Sequence, residues 1–407
     1  MTLEVACTLD GHSAAVNAVR WTQSGEYCLT ASEDRTVRLW NPYAYSSSSS
    51  SSTTFGTEAG STGAGAGAPA STSRAANATL VKTYSGVHGY GVKAVCIFGD
   101  NTRFASAGDD RNVFLWDVST GAVVRRIAAH QGATNALAIN TKTSTVLATA
   151  SYDQTVRLWD LRSQSRDPLQ ALTDFRDSVT SVQLLGGSDS SGSDYLLVAG
   201  CVDGRLRTYD LRKGLLHEDI LCPTLCWEGT VGGEPIVCSR GAADGTVLSL
   251  CLPVPDSQSR KASSSTGYSH SRSSSGGQYD QSQRGQGKLV LSDMRSGKLS
   301  RVFHGSVNEN IKSECCMLRG GSVACGGEDG CIRVWDLKGG HLQRTLKAQP
   351  QPQVQGFNNS SSSSSSHGSG SCSKRCAILS VDAHPTQTAL LAAAHDGSVK
   401  MWAEKQS

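Results

Sequence analysis

The sequence predicts an all-β chain folded as a seven-bladed β-propeller of four-stranded antiparallel blades. Three observations predict it. The first is a recurring segment: "TASYDQTVRLWDLR" at 149–162, with looser copies "TASEDRTVRLWN" at 30–41, "SAGDDRNVFLWD" at 106–117, "CGGEDGCIRVWD" at 325–336 and "AAAHDGSVKMW" at 392–402. Each joins a polar turn to an alternating strand. The second is the interval. Trp116 and Trp159 lie 43 residues apart, and Trp159 and Tyr209 lie 50 apart, the period of one propeller blade. The third is a pair of unmatched ends. The chain stops after a seventh third strand, "SVKMWAEKQS", while "LEVACTL" (3–9) opens it as a strand without a blade. Pairing the two closes the ring and removes its open edges.

Within a unit, apolar residues alternate with a period of two, as strands facing two environments require. In the third unit "ATNALAI", "TVLATAS", "TVRLWD" and "LQALT" serve as strands a to d. Turn aspartates Asp34, Asp110, Asp153, Asp203, Asp244, Asp329 and Asp396 mark seven b–c turns. Several are followed by glycine, which accepts the left-handed backbone of a tight turn. The fifth unit has two candidates for strand c, 246–252 and 288–293. Its insertion therefore falls either in the b–c turn or between c and d. No long amphipathic helix is evident.

Three low-complexity insertions interrupt the repeat, at 43–79, 253–287 and 349–374. The first holds the serine run 46–52 and the third the run 360–366. They are too poor in apolar residues to offset chain entropy, and disorder is expected. Without them roughly 310 residues remain, about 44 per unit.

Composition excludes several classes. The chain has 407 residues and a net charge of +3, unlike the strongly basic domains that grip nucleic acid directly. No apolar run reaches the ~18 residues of a membrane span. "MTLEVACTLDGH" lacks a basic stretch followed by an apolar one, so no secretory signal is expected. The 14 cysteines form no paired framework. Cys222/Cys226 and Cys372/Cys376 have no second pair or histidine cluster, so no metal is expected. The thiols are read as small buried hydrophobes. There is no phosphate loop and no isolated nucleophile; neither enzymatic activity nor a cofactor is expected.

The repeated pattern resembles the WD-repeat family. That resemblance implies a side-chain chain within each blade: a carboxylate accepting from imidazole, the imidazole taking a hydroxyl proton, the hydroxyl accepting an indole N–H. Carried over by position, it assigns His12, Ser32, Asp34 and Trp40 in the first blade, and His130, Ser151, Asp153 and Trp159 in the third. The second keeps His88, Asp110 and Trp116 but has Gly108 in the serine place. The fourth has Cys201 and Tyr209, the sixth Gly327, and the fifth lacks the tryptophan. Recurrence in several blades argues against Ser151, Asp153 and His130 as a hydrolase triad, because a catalytic set should occur once, in a pocket.

Longer stretches, "GEYCLTASEDRTVRLWNP" (25–42), "LVKTYSGVHGYGV" (80–92), "DGRLRTYDLRKG" (203–214) and "SVDAHPT" (380–386), resemble the mitogen-activated protein kinase organizer subgroup of that family. The resemblance implies a non-catalytic scaffold in extracellular-signal-regulated kinase signalling and pre-mRNA splicing. Its partners would be spliceosomal or kinase-cascade proteins, and nucleic acid would be reached only indirectly. It implies a monomer within larger complexes, in cytoplasm and nucleus, without membrane contact. By family analogy the partner-facing rim includes Glu33, Asp109, Tyr152, Val202, Ala243, Glu328 and His395 before the turn aspartates. It also includes Asn17, Lys93, Asn135, Thr180, Thr224, Lys312 and Leu379 where strand a begins. Tyr152 and Lys93 are the foremost anchors, since aromatic and long side chains dominate hot spots. "WDLR" (159–162) and "YDLR" (209–212) also resemble the Trp-Asp-x-Arg box of receptors for cullin-type ubiquitin ligases. That gives an alternative in which Arg162 contacts a ligase adaptor.

Overall fold

β-Branched and aromatic runs broken by Asp- and Gly-bearing turns fold as 28 strands, with no helix among the described residues. The computed structural model describes residues 3–45, 76–140, 143–185, 196–211, 215–221, 234–241, 246–252, 287–293, 298–348 and 377–404. The strands form seven four-stranded antiparallel blades. Strands a to d of blade 1 are Val16–Trp21, Cys28–Ser32, Val37–Tyr45 and Ala76–Tyr84. Blade 2 comprises Val92–Ile97, Arg103–Gly108, Asn112–Asp117 and Val123–Ala128. Blade 3 comprises Thr134–Ile139, Val146–Ser151, Val156–Asp160 and Gln170–Leu172. Blade 4 comprises Val179–Leu185, Leu196–Cys201, Arg205–Asp210 and Leu215–Leu221. Blade 6 comprises Cys315–Leu318, Ser322–Gly326, Cys331–Asp336 and Leu342–Lys347.

Blade 7 takes Ile378–Ala383, Ala389–Ala394 and Val399–Glu404 from the end of the chain and Leu3–Leu9 from its beginning. Leu3 faces Glu404, Val5 faces Trp402 and Leu9 faces Val399. The N-terminal strand reaches further than the sequence suggests. Cys7 and Thr8 also pair in parallel with Ala76 and Asn77 of blade 1, joining the two blades into one eight-stranded sheet.

Blade 5 resolves the open alternative. Its strands are Ile236–Gly241, Thr246–Cys251, Lys288–Asp293 and Lys298–Phe303. Strand c is therefore 288–293. Asp244 stands between strands a and b, not in a b–c turn as the repeat count suggests. The 253–287 insertion occupies the b–c connection. The expected 43–79 insertion is shorter at both ends, because strand c of blade 1 runs to Tyr45 and strand d begins at Ala76. Residues 46–75, 253–286 and 349–376, on which the expectation of disorder falls, lie outside the described residues.

The core lies between blades rather than within one. Seven apolar layers each take residues from two neighbouring blades, such as Trp40 and Val16 against Met401 and Leu391, or Trp159 and Leu147 against Phe98 and Leu115. Trp40, Trp159, Trp335 and Trp402 are fully buried. Of the ten described cysteines nine are buried and none is bonded. Burial pushes the Cys7, Cys96 and Cys325 thiols up to about 12, which leaves them as packing groups.

A polar clasp fastens three blades, but through a different hydroxyl from the one expected. In blade 1 the Nδ1–H of His12 donates to Asp34 at 2.7 Å. The Thr30 hydroxyl, not that of Ser32, lies 2.7 Å from His12 Nε2 and accepts the Trp40 indole N–H at 2.9 Å. Ser32 instead donates to the Ala14 carbonyl and accepts the Asp34 amide. Blade 3 repeats this with Thr149 between His130 and Trp159, while Ser151 bonds the Ala133 carbonyl. Blade 2 is complete, with Ser106 in the bridging place. Gly108 is not a lost serine there: a Cβ on it would stand 2.0 Å from the Gly91 carbonyl oxygen. The physical reason is cross-strand register. Both hydroxyls share the tryptophan's face of strand b, but Cys28 faces Trp40 and Thr30 faces Arg38. Thr30 is therefore the next position along that face from the indole, and Ser32 lies further towards the turn. The bridging place falls four residues before the turn aspartate.

Burial lowers the pKa of His12 and His130 despite the adjoining carboxylates. Each stays neutral, with Nε2 free to accept the hydroxyl proton. Blades 4 and 6 replace histidine by an arginine fork four residues after the aspartate. Arg207 Nη2 lies 2.8 Å from Asp203 and Arg333 Nη2 lies 2.6 Å from Asp329. Asp153→Ala strands His130 and Thr155. It is expected to cost ~1–3 kcal/mol, as is Thr149→Val, because each leaves a buried partner unmatched. A thermal melt unchanged by either substitution contradicts the clasp.

Candidate protein-interaction face

Antiparallel order places the b–c turns and the connections into strand a on one face of the ring, here the upper face. The a–b and c–d turns lie on the lower face. The upper turns are tight. After the turn aspartate the backbone is left-handed at Gly204, Gly330 and Gly397, but also at Arg35, Arg111 and Gln154, with φ of 66°, 63° and 65°. A side chain costs on the order of 1 kcal/mol at such a position. Blades 1 to 3 therefore hold exposed polar side chains where the other described turns hold glycine.

Six of the expected rim residues, Lys93, Asp109, Tyr152, Lys312, Glu328 and His395, divide by what they touch. Tyr152 stands 68% exposed, and Tyr90 beside the blade 2 turn is 65% exposed. Lys93 and Asp109 pair at 2.5 Å while both stay about one-third exposed, at 35% and 37%. His395 is exposed. Glu328 is occupied: one carboxylate oxygen accepts the amides of Glu309, Asn310 and Ile311, fixing the loop into blade 6. Lys312 leaves the rim. Its ammonium reaches into the central channel and donates to the carbonyls of Asn135 and Thr180 at 3.1 and 2.9 Å. Burial there lowers its pKa.

Most residues opening strand a stitch blades together. Asn17 donates to the Val92 carbonyl, Asn135 to Val179 and Thr180 to Ile236. Val202 bonds the Ser178 carbonyl through its amide, and Leu379 is buried. Thr224 and Ala243 lie outside the described residues. The structure thus leaves Tyr152, the Lys93–Asp109 pair and His395 available on the upper face.

A charge network in the channel has no counterpart in the sequence reading. Arg20 forks onto Glu314 with two 2.7 Å contacts, and Arg240 approaches the same carboxylate at 3.6 Å. Ser380 donates to it as well. Burial opposes ionisation of Glu314, but the two guanidinium groups outweigh it and hold its pKa down to about 2. Asp382, buried beside them, accepts the Trp21 amide at 2.8 Å, and burial raises its pKa. These residues come from blades 1, 5, 6 and 7 and meet only when the ring closes. The signal in hindsight is that each sits on strand a or immediately before it.

On the lower face Arg162 follows strand c of blade 3. Its side chain is 74% exposed and folds back on Asp160 at 3.1 Å. Among the described residues no group of histidine, cysteine or carboxylate side chains could hold a metal. No described helix is long and apolar enough to cross a membrane.

Seven four-stranded blades, three of them clasped by histidine, hydroxyl, aspartate and tryptophan and the ring zipped by the first strand, define a repeat propeller of the WD type. The profile described as "WD domain, G-beta repeat" matches residues 3–41, 78–117, 121–160, 297–336 and 362–403, and the chain belongs to the WD-repeat family. Along nearly its whole length it is similar to WD repeat domain-containing protein 83: 31% identical to the Homo sapiens protein over 399 residues, 98% of this chain and 91% of that one. The Dictyostelium discoideum homolog is 26% identical over 54% of this chain and 64% of its own length. The crystal structure of the WD40 β-propeller domain of Doa1 superposes with a TM-score of 0.63, covering 100% of this chain and 98% of that chain at 15% identity. That likeness concerns the fold alone. Propellers of this family are protein-interaction platforms.

Proposed function

We propose that this chain is a non-catalytic scaffold that assembles proteins for pre-mRNA splicing, for extracellular-signal-regulated kinase signalling, or for both, in nucleus and cytoplasm. The reading rests on its likeness to WD repeat domain-containing protein 83. The observation that carries it is an upper face where Tyr152 stands free beside an exposed Lys93–Asp109 pair on a stitched ring. Rigid rings present such groups at little ordering cost.

Affinity purification with mass spectrometry tests the proposal. Spliceosomal or kinase-cascade proteins are expected with the native chain. Their yield should fall at least about tenfold for Tyr152→Ala with Lys93→Ala, the loss of two anchors, while the melt is unchanged. Undiminished capture rejects the upper face. The second reading, a receptor for a cullin-type ligase, is favoured by the exposure of Arg162 on the opposite face. It predicts a ligase adaptor in the catch that disappears with Arg162→Ala and persists with the upper-face variant.

A further inference from the structure

Two cysteines on adjoining inner strands stand in direct contact. Cys238 lies on strand a of blade 5 and Cys315 opens strand a of blade 6. Their sulfur atoms are 3.8 Å apart, with the Cys315 S–H directed at Cys238. Both are free and buried. They differ in this from the other thiols, whose described contacts are to backbone, a carboxamide or apolar groups. Arg240 follows two residues after Cys238, on the same face of the strand. Its Nη2 has no hydrogen-bond partner among the described residues, and it lies 3.6 Å from Glu314, already forked by Arg20.

We propose that Cys238 and Cys315 are a redox modification site: a hydroperoxide oxidises the pair to a disulfide that staples blade 5 to blade 6 across the channel wall. Cys238 is the attacking sulfur. The hydrogen bond from Cys315 holds its thiol below the usual range against burial and the Glu314 charge, with a smaller pull from Arg240, while Cys315 is held above it by the same contact and by burial. With hydrogen peroxide the Cys238 thiolate takes one oxygen. The O–O bond breaks, hydroxide leaves and is protonated to water, and Cys238 becomes a sulfenic acid. The Cys315 sulfur then attacks Cys238, the S–O bond breaks, and that hydroxide departs with the Cys315 proton as a second water. The two thiols lose two electrons and the peroxide gains them. The sulfur atoms close from 3.8 Å to about 2 Å in the product.

The staple would join the inner strands of blades 5 and 6, the first holding Arg240 and the second following directly on Lys312 and Glu314. Oxidation would therefore stiffen one sector of the ring without adding a contact to its upper face.

The test uses the full chain with Cys222, Cys226, Cys372 and Cys376 changed to serine, since these four lie outside the described residues. It is treated with hydrogen peroxide, free thiols are alkylated, and the digest is mapped without reductant. One linked peptide pair, Cys238 to Cys315, is expected. The melting temperature should rise by several degrees and return on adding dithiothreitol. In Cys315→Ser the oxidised Cys238 should persist as a sulfenic acid labelled by dimedone; in Cys238→Ser neither product should form. Cys238 overoxidised with Cys315 still free, Cys315 linked to another cysteine, or both thiols intact after the peroxide is consumed would each overturn the proposal. The same peroxide treatment and peptide map of the native-sequence chain decides the matter even if a serine variant fails to fold.

Discussion

Removing residues 1–9 should leave the chain unable to hold a native ring. The excised strand supplies the outermost member of blade 7, with six paired positions from Leu3–Glu404 to Leu9–Val399. It also covers apolar layers on both sides. Cys7 and Leu9 are fully buried against blade 1, while Leu3 and Val5 pack towards blade 6. Lost ladder bonds and lost burial together come to on the order of 5 kcal/mol, comparable with the whole stability of an ordinary domain. The bared edge of Val399–Glu404 would also recruit other chains. Circular dichroism and gel filtration should show unfolded or aggregated protein at 37 °C, with partial rescue by excess synthetic peptide spanning 3–9. A truncated chain that is monomeric and melts at the native temperature contradicts the closure.

Glu314→Gln is expected to be the most damaging conservative change in the channel. The substitution keeps shape but removes the charge that Arg20 and Arg240 share. Two part-buried guanidinium groups are left facing each other and Lys312. Breaking a buried pair on one side costs about 3–5 kcal/mol, and the 13–25% exposure of these side chains reduces that to roughly 2–3. The pH dependence follows from the depressed pKa of Glu314, about 2 against the ordinary 4.5. A carboxyl with a lowered folded pKa stabilises the fold fully above its unfolded pKa, and that contribution is lost as pH falls from 4.5 towards 2. Urea melts should therefore separate native and variant chains at pH 7 and show a gap reduced to about half or less near pH 3. An equal gap at both values would show that the carboxylate is not held ionised by the arginines.

The parts of this structure legible in advance were those written in a local period. Trp40, Trp116, Trp159, Trp335 and Trp402 mark strand c because each blade repeats the same turn and strand. The unmatched segment 3–9 announces closure because an edge strand must be satisfied. What stayed hidden depends on cross-strand register or distance. Thr30 and Ser32 share one face of strand b, so choosing between them requires the cross-strand register with Trp40. A spacing of ten residues, shared by Thr30–Trp40, Ser106–Trp116 and Thr149–Trp159, carries that information. The arginine forks at Arg207 and Arg333 substitute for histidine from a different strand, so a search for histidine passes over them. Blade 5 lacks the tryptophan, and its Asp244-Gly245 pair imitates a b–c turn. The rim was the least legible part. Side chains such as Lys312 and Asn135 serve the channel and the neighbouring blade, which only the closed ring reveals.

Hydrogen–deuterium exchange of the native chain tests the closed ring most directly. The backbone amides of residues 3–9 should exchange with the same slow, cooperative kinetics as those of 399–404. Exchange of 3–9 within seconds, while 399–404 remains protected, would describe a loose N-terminal tail beside an open ring.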